Sequence, residues 1–177
     1  MASLIAVSGP PGAGKSTVSA GLAARAERSM LVEGDAFFGF VATGGIDPWL
    51  PESHEQNAVV TSAAGAATGV LAAVYDTVYD GVLGPWFLDA FLTATGCEAF
   101  DYVVLLPPVE RCVERVRNRD GHTFDDENVT RQLHGQFAAG GIAERHLVDS
   151  SDLDPADTIR RIVRDRPTGR FRYGRES

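Results

Sequence analysis

One stretch limits what this chain can become more than any other: Gly9-Pro10-Pro11-Gly12-Ala13-Gly14-Lys15-Ser16. It satisfies G-x-x-x-x-G-K-[ST] in full. The apolar run Leu4-Ile5-Ala6-Val7-Ser8 precedes it, and an amphipathic stretch over 15–28 follows. Strand, glycine-rich turn and helix, in that order, is the context in which this motif binds phosphate. Glycines let successive backbone N–H groups converge on one anion. The helix start adds its positive dipole end. Lys15 can reach β- and γ-phosphates, the Ser16 hydroxyl can ligate Mg²⁺, and Thr17 can touch the α-phosphate. A chance match is the competing explanation, because 19 of the 177 residues are glycine. The lysine count argues against it. Arginine supplies every basic residue except Lys15, which occupies the one position where the motif requires lysine.

Around this motif, short apolar runs alternate with helical stretches. Strands are expected at 4–8, 30–33, 77–80, 102–106 and 145–148. Helices are expected at 15–28, 55–73, 85–95, 109–119, 126–138 and 155–164. Gly65 and Gly69 inside the second helix suggest close packing on a neighbour. Alternation of this kind predicts an α/β fold: a parallel sheet of five strands with helices on both faces. At 177 residues the chain reads as a single domain over 1–165, with a lid at about 119–127 and an arginine-rich tail over 166–177.

Charge narrows the partners. The net charge of −8 argues against a nucleic-acid partner, which needs a basic footprint. The charge is uneven, because residues 160–177 hold seven arginines against Asp165 and Glu176. That tail can dock on the acidic body, but a frayed terminus is the expectation. No apolar run is long enough for a membrane span. Residues 1–7 lack the charged start and cleavage site of a secretory signal, so a cytoplasmic location is expected. Cys97 and Cys112 show no metal or redox spacing and read as buried thiols. His54, His122, His134 and His146 are scattered and read as structural or surface residues.

Three absences shape the reaction class. No Asn-Lys-x-Asp guanine motif exists, and no second lysine could make one. The third strand ends Val78-Tyr79-Asp80-Gly81, without the Asp-Glu pair that ATPase motors commonly use. The chain is also short for a motor with a helical lid domain. Asp35 stands where the second strand ends, and ligands of doubly wound sheets gather at that edge. A carboxylate there can take the proton of a substrate hydroxyl and align it for in-line attack. The plainer reading of Asp35 is a helix cap or loop aspartate, and Glu33 is a weaker candidate for the base. Arg111, Arg115 and Arg119 are spaced by four on one helix, and Arg131 follows on the next. Arginines on a closing lid can stabilise a transferring phosphoryl group. Glu110 and Glu114 beside them support the plainer reading as surface ion pairs.

Aromatic residues concentrate in two windows after strand ends: Phe37, Phe38, Phe40 and Trp49, then Trp86, Phe87 and Phe91. They suit an acceptor with an apolar or ring-bearing body, or else simply core beneath loops.

The phosphate loop, Val32-Glu33-Gly34-Asp35, Tyr79-Asp80-Gly81-Val82-Leu83-Gly84-Pro85-Trp86 and Cys112-Val113-Glu114-Arg115-Val116-Arg117-Asn118-Arg119 together resemble small P-loop kinases of the chloramphenicol phosphotransferase and zeta-toxin type. Shikimate, gluconate and adenylate kinases are more distant relatives of similar layout. The resemblance covers about residues 3–165. It implies strand order 2-3-1-4-5, a short lid after the 109–119 helix, and ATP with Mg²⁺. It carries Asp35 over as general base, and Arg115 and Arg119 as lid arginines. It places the loop containing Ser150 against adenine, and it gives Asp80 a water-mediated contact to Mg²⁺. The reading is therefore ATP-dependent transfer of phosphate to a hydroxyl of a small molecule, antibiotic or metabolite. No shikimate- or gluconate-specific pattern accompanies it. A nucleoside or nucleotide-sugar kinase, and a resistance protein that sequesters its ligand without phosphorylating it, stay open as alternatives.

Overall fold

The computed structural model describes residues 3–118, 126–151 and 153–174. Strand β1 (Leu4–Ser8) is buried along its whole length, as a central parallel strand must be. Helix α1 (Lys15–Ala23) follows the glycine-rich turn and leads to β2 (Ser29–Glu33). Helix α2 (His54–Ala72), β3 (Asp76–Asp80), α3 (Pro85–Thr95), β4 (Ala99–Leu105), α4 (Val109–Arg117), α5 (Glu127–Ala139), β5 (Leu147–Val148), α6 (Pro155–Asp165) and β6 (Arg172–Gly174) complete the chain. The parallel strands run β2-β3-β1-β4-β5, which is the expected order 2-3-1-4-5. Among the described residues no helix is long and apolar enough to cross a membrane.

The sheet carries two cores. One holds Phe91, Phe100, Tyr102 and Phe137; the other holds Val7, Val103, Leu105 and Ile162. Alternation along β4 sends Tyr102 and Val104 to the first and Val103 and Leu105 to the second. The glycines of α2 do bring a neighbour close. A side chain at Gly69 would overlap the Thr95 carbonyl at the end of α3.

Several expected boundaries shift for local reasons. The first helix stops at Ala23 rather than 28, since the chain needs residues 24–28 to turn into β2. The Ser29 hydroxyl ties that turn by donating to the Ala23 carbonyl at 2.8 Å. The fifth strand is only Leu147–Val148, and Glu144–His146 forms a 3-10 turn instead. The His146 ring bonds the Tyr102 carbonyl at 3.0 Å through Nδ1, which places this histidine in the structure of the sheet.

The largest correction concerns the tail. It does not fray within the described residues. Residues 172–174 form a sixth strand, antiparallel to β4 and in register Ala99↔Gly174. This pairing also explains why β4 starts at Ala99 rather than 102. Phe171 is fully buried in the second core, worth about 1.5–3 kcal/mol for a side chain of this kind. Arginines tie the segment to acidic residues: Arg166 to Asp101 at 2.5 Å and Arg170 to Asp165 at 2.8 Å. The tail's positive charge is thus partly spent on docking it against the body.

Candidate functional site

The site forms where β1, β2 and β3 end. Gly12 shows why the loop needs glycine. Its φ is 76°, and a side chain there would overlap the Cys112 carbonyl of α4. Cys112 is buried beneath it, and burial pushes its thiol up to about 11. An inert, protonated thiol suits a packing role. The Ala13 N–H donates to the Pro10 carbonyl at 3.2 Å, and Lys15 Nζ donates to the same carbonyl at 3.1 Å. Gly14 immediately precedes α1, with φ 96°, so Lys15, Ser16 and Thr17 occupy the helix's first turn.

Asp80 closes the floor. It is buried at the end of β3, and its Oδ1 has no hydrogen-bond partner. Burial lifts its carboxyl above the usual range, while the neighbouring Ser16 hydroxyl and Lys15 ammonium pull it back. A buried carboxylate oxygen without a donor, beside a serine hydroxyl, fits a cation. Among the described residues no cluster of three His, Cys, Asp or Glu exists to hold a metal. Mg²⁺ does not need one, since it takes one or two protein oxygens and completes its shell with phosphate and water. Ser16 and Asp80 therefore fit that ion.

Asp35 lies two residues past β2's end, in the 3-10 turn Gly34–Phe40. It lines the same cavity as Gly12, Lys15, Ser16 and Asp80, a space of about 970 Å³. The cavity continues between Phe38, Trp49, Trp86 and Phe87. Four of the seven expected aromatics thus reach it. Phe91 instead is fully buried in core, and Phe40 projects outward at 79% exposure. Phe37 packs on the core and meets Phe40 edge-on at 5.5 Å between centroids. Gln132 from α5 donates to the Trp49 carbonyl at 3.0 Å, joining the two walls of the chamber.

The arginines divide. Arg115 is half-buried against the phosphate loop, with Nη1 3.4 Å from the carbonyls of both Gly12 and Ala13. Arg131 instead makes a two-pronged pair with Glu110, at 2.6 and 2.8 Å. Arg111 pairs with Glu114, and Arg117 with Glu127. Arg119, most of the expected lid and His122 lie outside the described residues. Ser150 follows β5 and is buried, and its hydroxyl has no hydrogen-bond partner.

Sequence reasoning missed most of the polar wall, such as Asn57, Thr61, Gln132 and Gln136, and two rings. His54, read as structural or surface, stacks near Phe87 at 5.2 Å and lines the chamber. Tyr79 also lines it, although its strand position reads only as core. The signal for Tyr79 was its place beside Asp80. Burial and the charges of Asp35 and Asp80 hold its phenol protonated.

The chain belongs to the AAA domain family, whose AAA_33 model matches residues 4–140. That span runs from β1 through the end of α5. No curated protein sequence matches the chain. Among solved structures, a sugar kinase from Janibacter sp. HTCC2649 superposes with a TM-score of 0.66 at 20% identity, covering 93% of this chain and 94% of that one. The tunicamycin resistance protein of Deinococcus radiodurans gives 0.67 at 17% identity, covering 96% of each. Shikimate kinase from Acinetobacter baumannii, in complex with shikimate, gives 0.67 at 20%, covering 96% and 95%. The fold is that of the small P-loop kinases.

Proposed function

We propose that this AAA-domain family member is an ATP- and Mg²⁺-dependent phosphotransferase that moves the γ-phosphate of ATP to a hydroxyl of a small molecule. One observation carries the reading. The phosphate loop and Asp35 open onto a single cavity that continues into an aromatic chamber. A site built only to hold or hydrolyse nucleotide has no use for that chamber.

The loop amides and Lys15 hold the β- and γ-phosphates. Ser16 and Asp80 would hold Mg²⁺, whose charge offsets that of the phosphates. Asp35 accepts the proton of the acceptor hydroxyl as its oxygen bonds to phosphorus. The bond from the γ-phosphorus to the bridging oxygen breaks, and ADP leaves with that electron pair. Arg115 adds positive charge beside the loop. Arg131 can reach the transferring group only by leaving Glu110, and Ser150 supplies a hydroxyl for the adenine end. The chamber takes an acceptor with an apolar or ring-bearing body, an antibiotic or a metabolite.

The test is a thermal-shift screen in Mg·ATP across antibiotics, sugars, nucleosides and nucleotide-sugars. Each stabilising compound is then assayed for ADP release and for a product heavier by one phosphate. Asp35→Asn should bind ATP normally and lose transfer roughly 100-fold or more. A compound that stabilises the protein but never gains phosphate supports sequestration instead. Undiminished transfer by Asp35→Asn would show that the base lies elsewhere.

A further inference from the structure

Strand β3 delivers two neighbouring residues to the cavity by opposite faces. Asp80 stands at its floor, while Tyr79 turns toward α2 and α3 and packs its ring on Phe91, 4.7 Å between centroids. Only 3% of Tyr79 is exposed, yet it lines the cavity. Its hydroxyl lies in a notch made by two glycines. A side chain at Gly34 would overlap the hydroxyl, and one at Gly81 would come within 2.7 Å of it. Gly34 directly precedes Asp35, and Gly81 directly follows Asp80. The notch therefore lies against the two backbone segments that carry the site's carboxylates.

Among the described residues Tyr79 has a ring contact with Phe91, and nothing receives a hydrogen bond from its Oη. The contrast with Tyr102 is informative. That tyrosine is equally buried, and its hydroxyl donates to the Leu83 carbonyl at 2.6 Å. The Tyr79 ring is buried, but its hydroxyl is not one of the sealed polar atoms, and it is left open to the cavity that the residue lines. Phenylalanine would fill the same ring space, so what the oxygen adds is a donor available to a molecule in the cavity.

We propose that Tyr79 Oη donates a hydrogen bond to the oxygen of the acceptor hydroxyl, the same hydroxyl whose proton Asp35 accepts. This rests on the phosphotransfer reading and extends it. Between Asp35 and Tyr79 the site selects a group that both donates and accepts, namely an alcohol, over an amine that arrives protonated. Tyr79 keeps its own proton throughout. Its part is to hold the nucleophile's oxygen in line while the O–H bond breaks and the O–P bond forms.

Water is the smallest molecule with the same donor and acceptor capacity, so Mg·ATP alone is a sufficient probe. Single-turnover hydrolysis of γ-labelled ATP, with enzyme in excess, is compared between wild type and Tyr79→Phe. The expected result is hydrolysis roughly tenfold slower in the variant. Affinity for Mg·ATP by equilibrium dialysis should be unchanged, and so should the melting temperature. Equal rates in the two proteins, including none in either, overturn the assignment. So does a slower rate accompanied by a lower melting temperature, which marks a structural hydroxyl. Failure of the wild type to bind Mg·ATP is a separate outcome and brings down the phosphotransfer reading itself.

Discussion

The cavity has two ends, and they are made differently. At the phosphate end the chemistry sits on strand termini and a helix start: Lys15 opens α1, Asp80 closes β3, and Asp35 lies just past β2. These residues are fixed by a backbone that tolerates little change. A side chain at Gly9 would overlap the Leu105 carbonyl, and one at Gly12 the Cys112 carbonyl. At the acceptor end the rings come from Phe38 in the 34–40 turn, Trp49 in the 41–53 segment and the start of α3, and α5 adds Gln132, Leu133 and Gln136. That end is held by side-chain links such as Gln132 to the Trp49 carbonyl. The charged lining residues Lys15, Asp35 and Asp80 all belong to the phosphate end. The difference teaches that, in the proposed reaction, phosphate handling is written into backbone geometry. Acceptor choice would rest on side chains that can change without disturbing the sheet.

If the two ends are separable, variants should split cleanly between ATP and acceptor. Lys15→Ala should have the largest effect, weakening ATP binding roughly a hundredfold, because it removes the only ammonium at the phosphates. Isothermal titration with Mg·ATP measures this directly, and near-normal affinity would break the assignment of that end. Trp49→Ala should act at the other end. The KM of any acceptor found by the screen should rise roughly tenfold, with the KM for ATP unchanged. A matching rise for ATP would mean that the two ends are one coupled unit.

The smallest expected effect concerns stability. Burial raises the folded-state pKa of Asp80 above its ordinary 3.8. The folded protein therefore binds that proton more tightly than the unfolded chain does. The cost of the ionised, buried carboxylate is fully present at neutral pH, shrinks as pH falls through the raised value, and is gone below the ordinary one. In EDTA, Asp80→Asn should thus melt a few degrees higher than wild type at neutral pH. The gain should fade in acid. Equal melting at neutral pH would show that Asp80 carries no such cost.

Much of this was legible along the chain. Helix α3 begins and ends at the expected residues, since Pro85 starts it and Gly96, in the left-handed conformation, stops it. The phosphate loop was legible because its chemistry demands particular residues at fixed spacing. Asp35 was legible because a parallel sheet sends its strand ends to one edge, and Asp80 through the resemblance to small P-loop kinases. The acceptor chamber was only half legible. Phe38 and Phe40 are two residues apart, yet one lines the cavity and the other faces outward. A 3-10 turn gives no periodic pattern from which to sort them.

The sequence by itself determined the α/β alternation and the phosphate-loop motif, because local spacing and strand alternation carry that information, while the sheet order came from the resemblance to small P-loop kinases. Only the tertiary structure decided three other matters. It turned the arginine-rich tail into a sixth strand, through the burial of Phe171 and pairing with β4. It joined Arg131 to Glu110 and set Arg115 against the phosphate loop. It aimed the Tyr79 hydroxyl between Gly34 and Gly81. The physical reason is common to all three. Each depends on a partner far away along the chain, and spacing within a segment says nothing about which distant group will meet it.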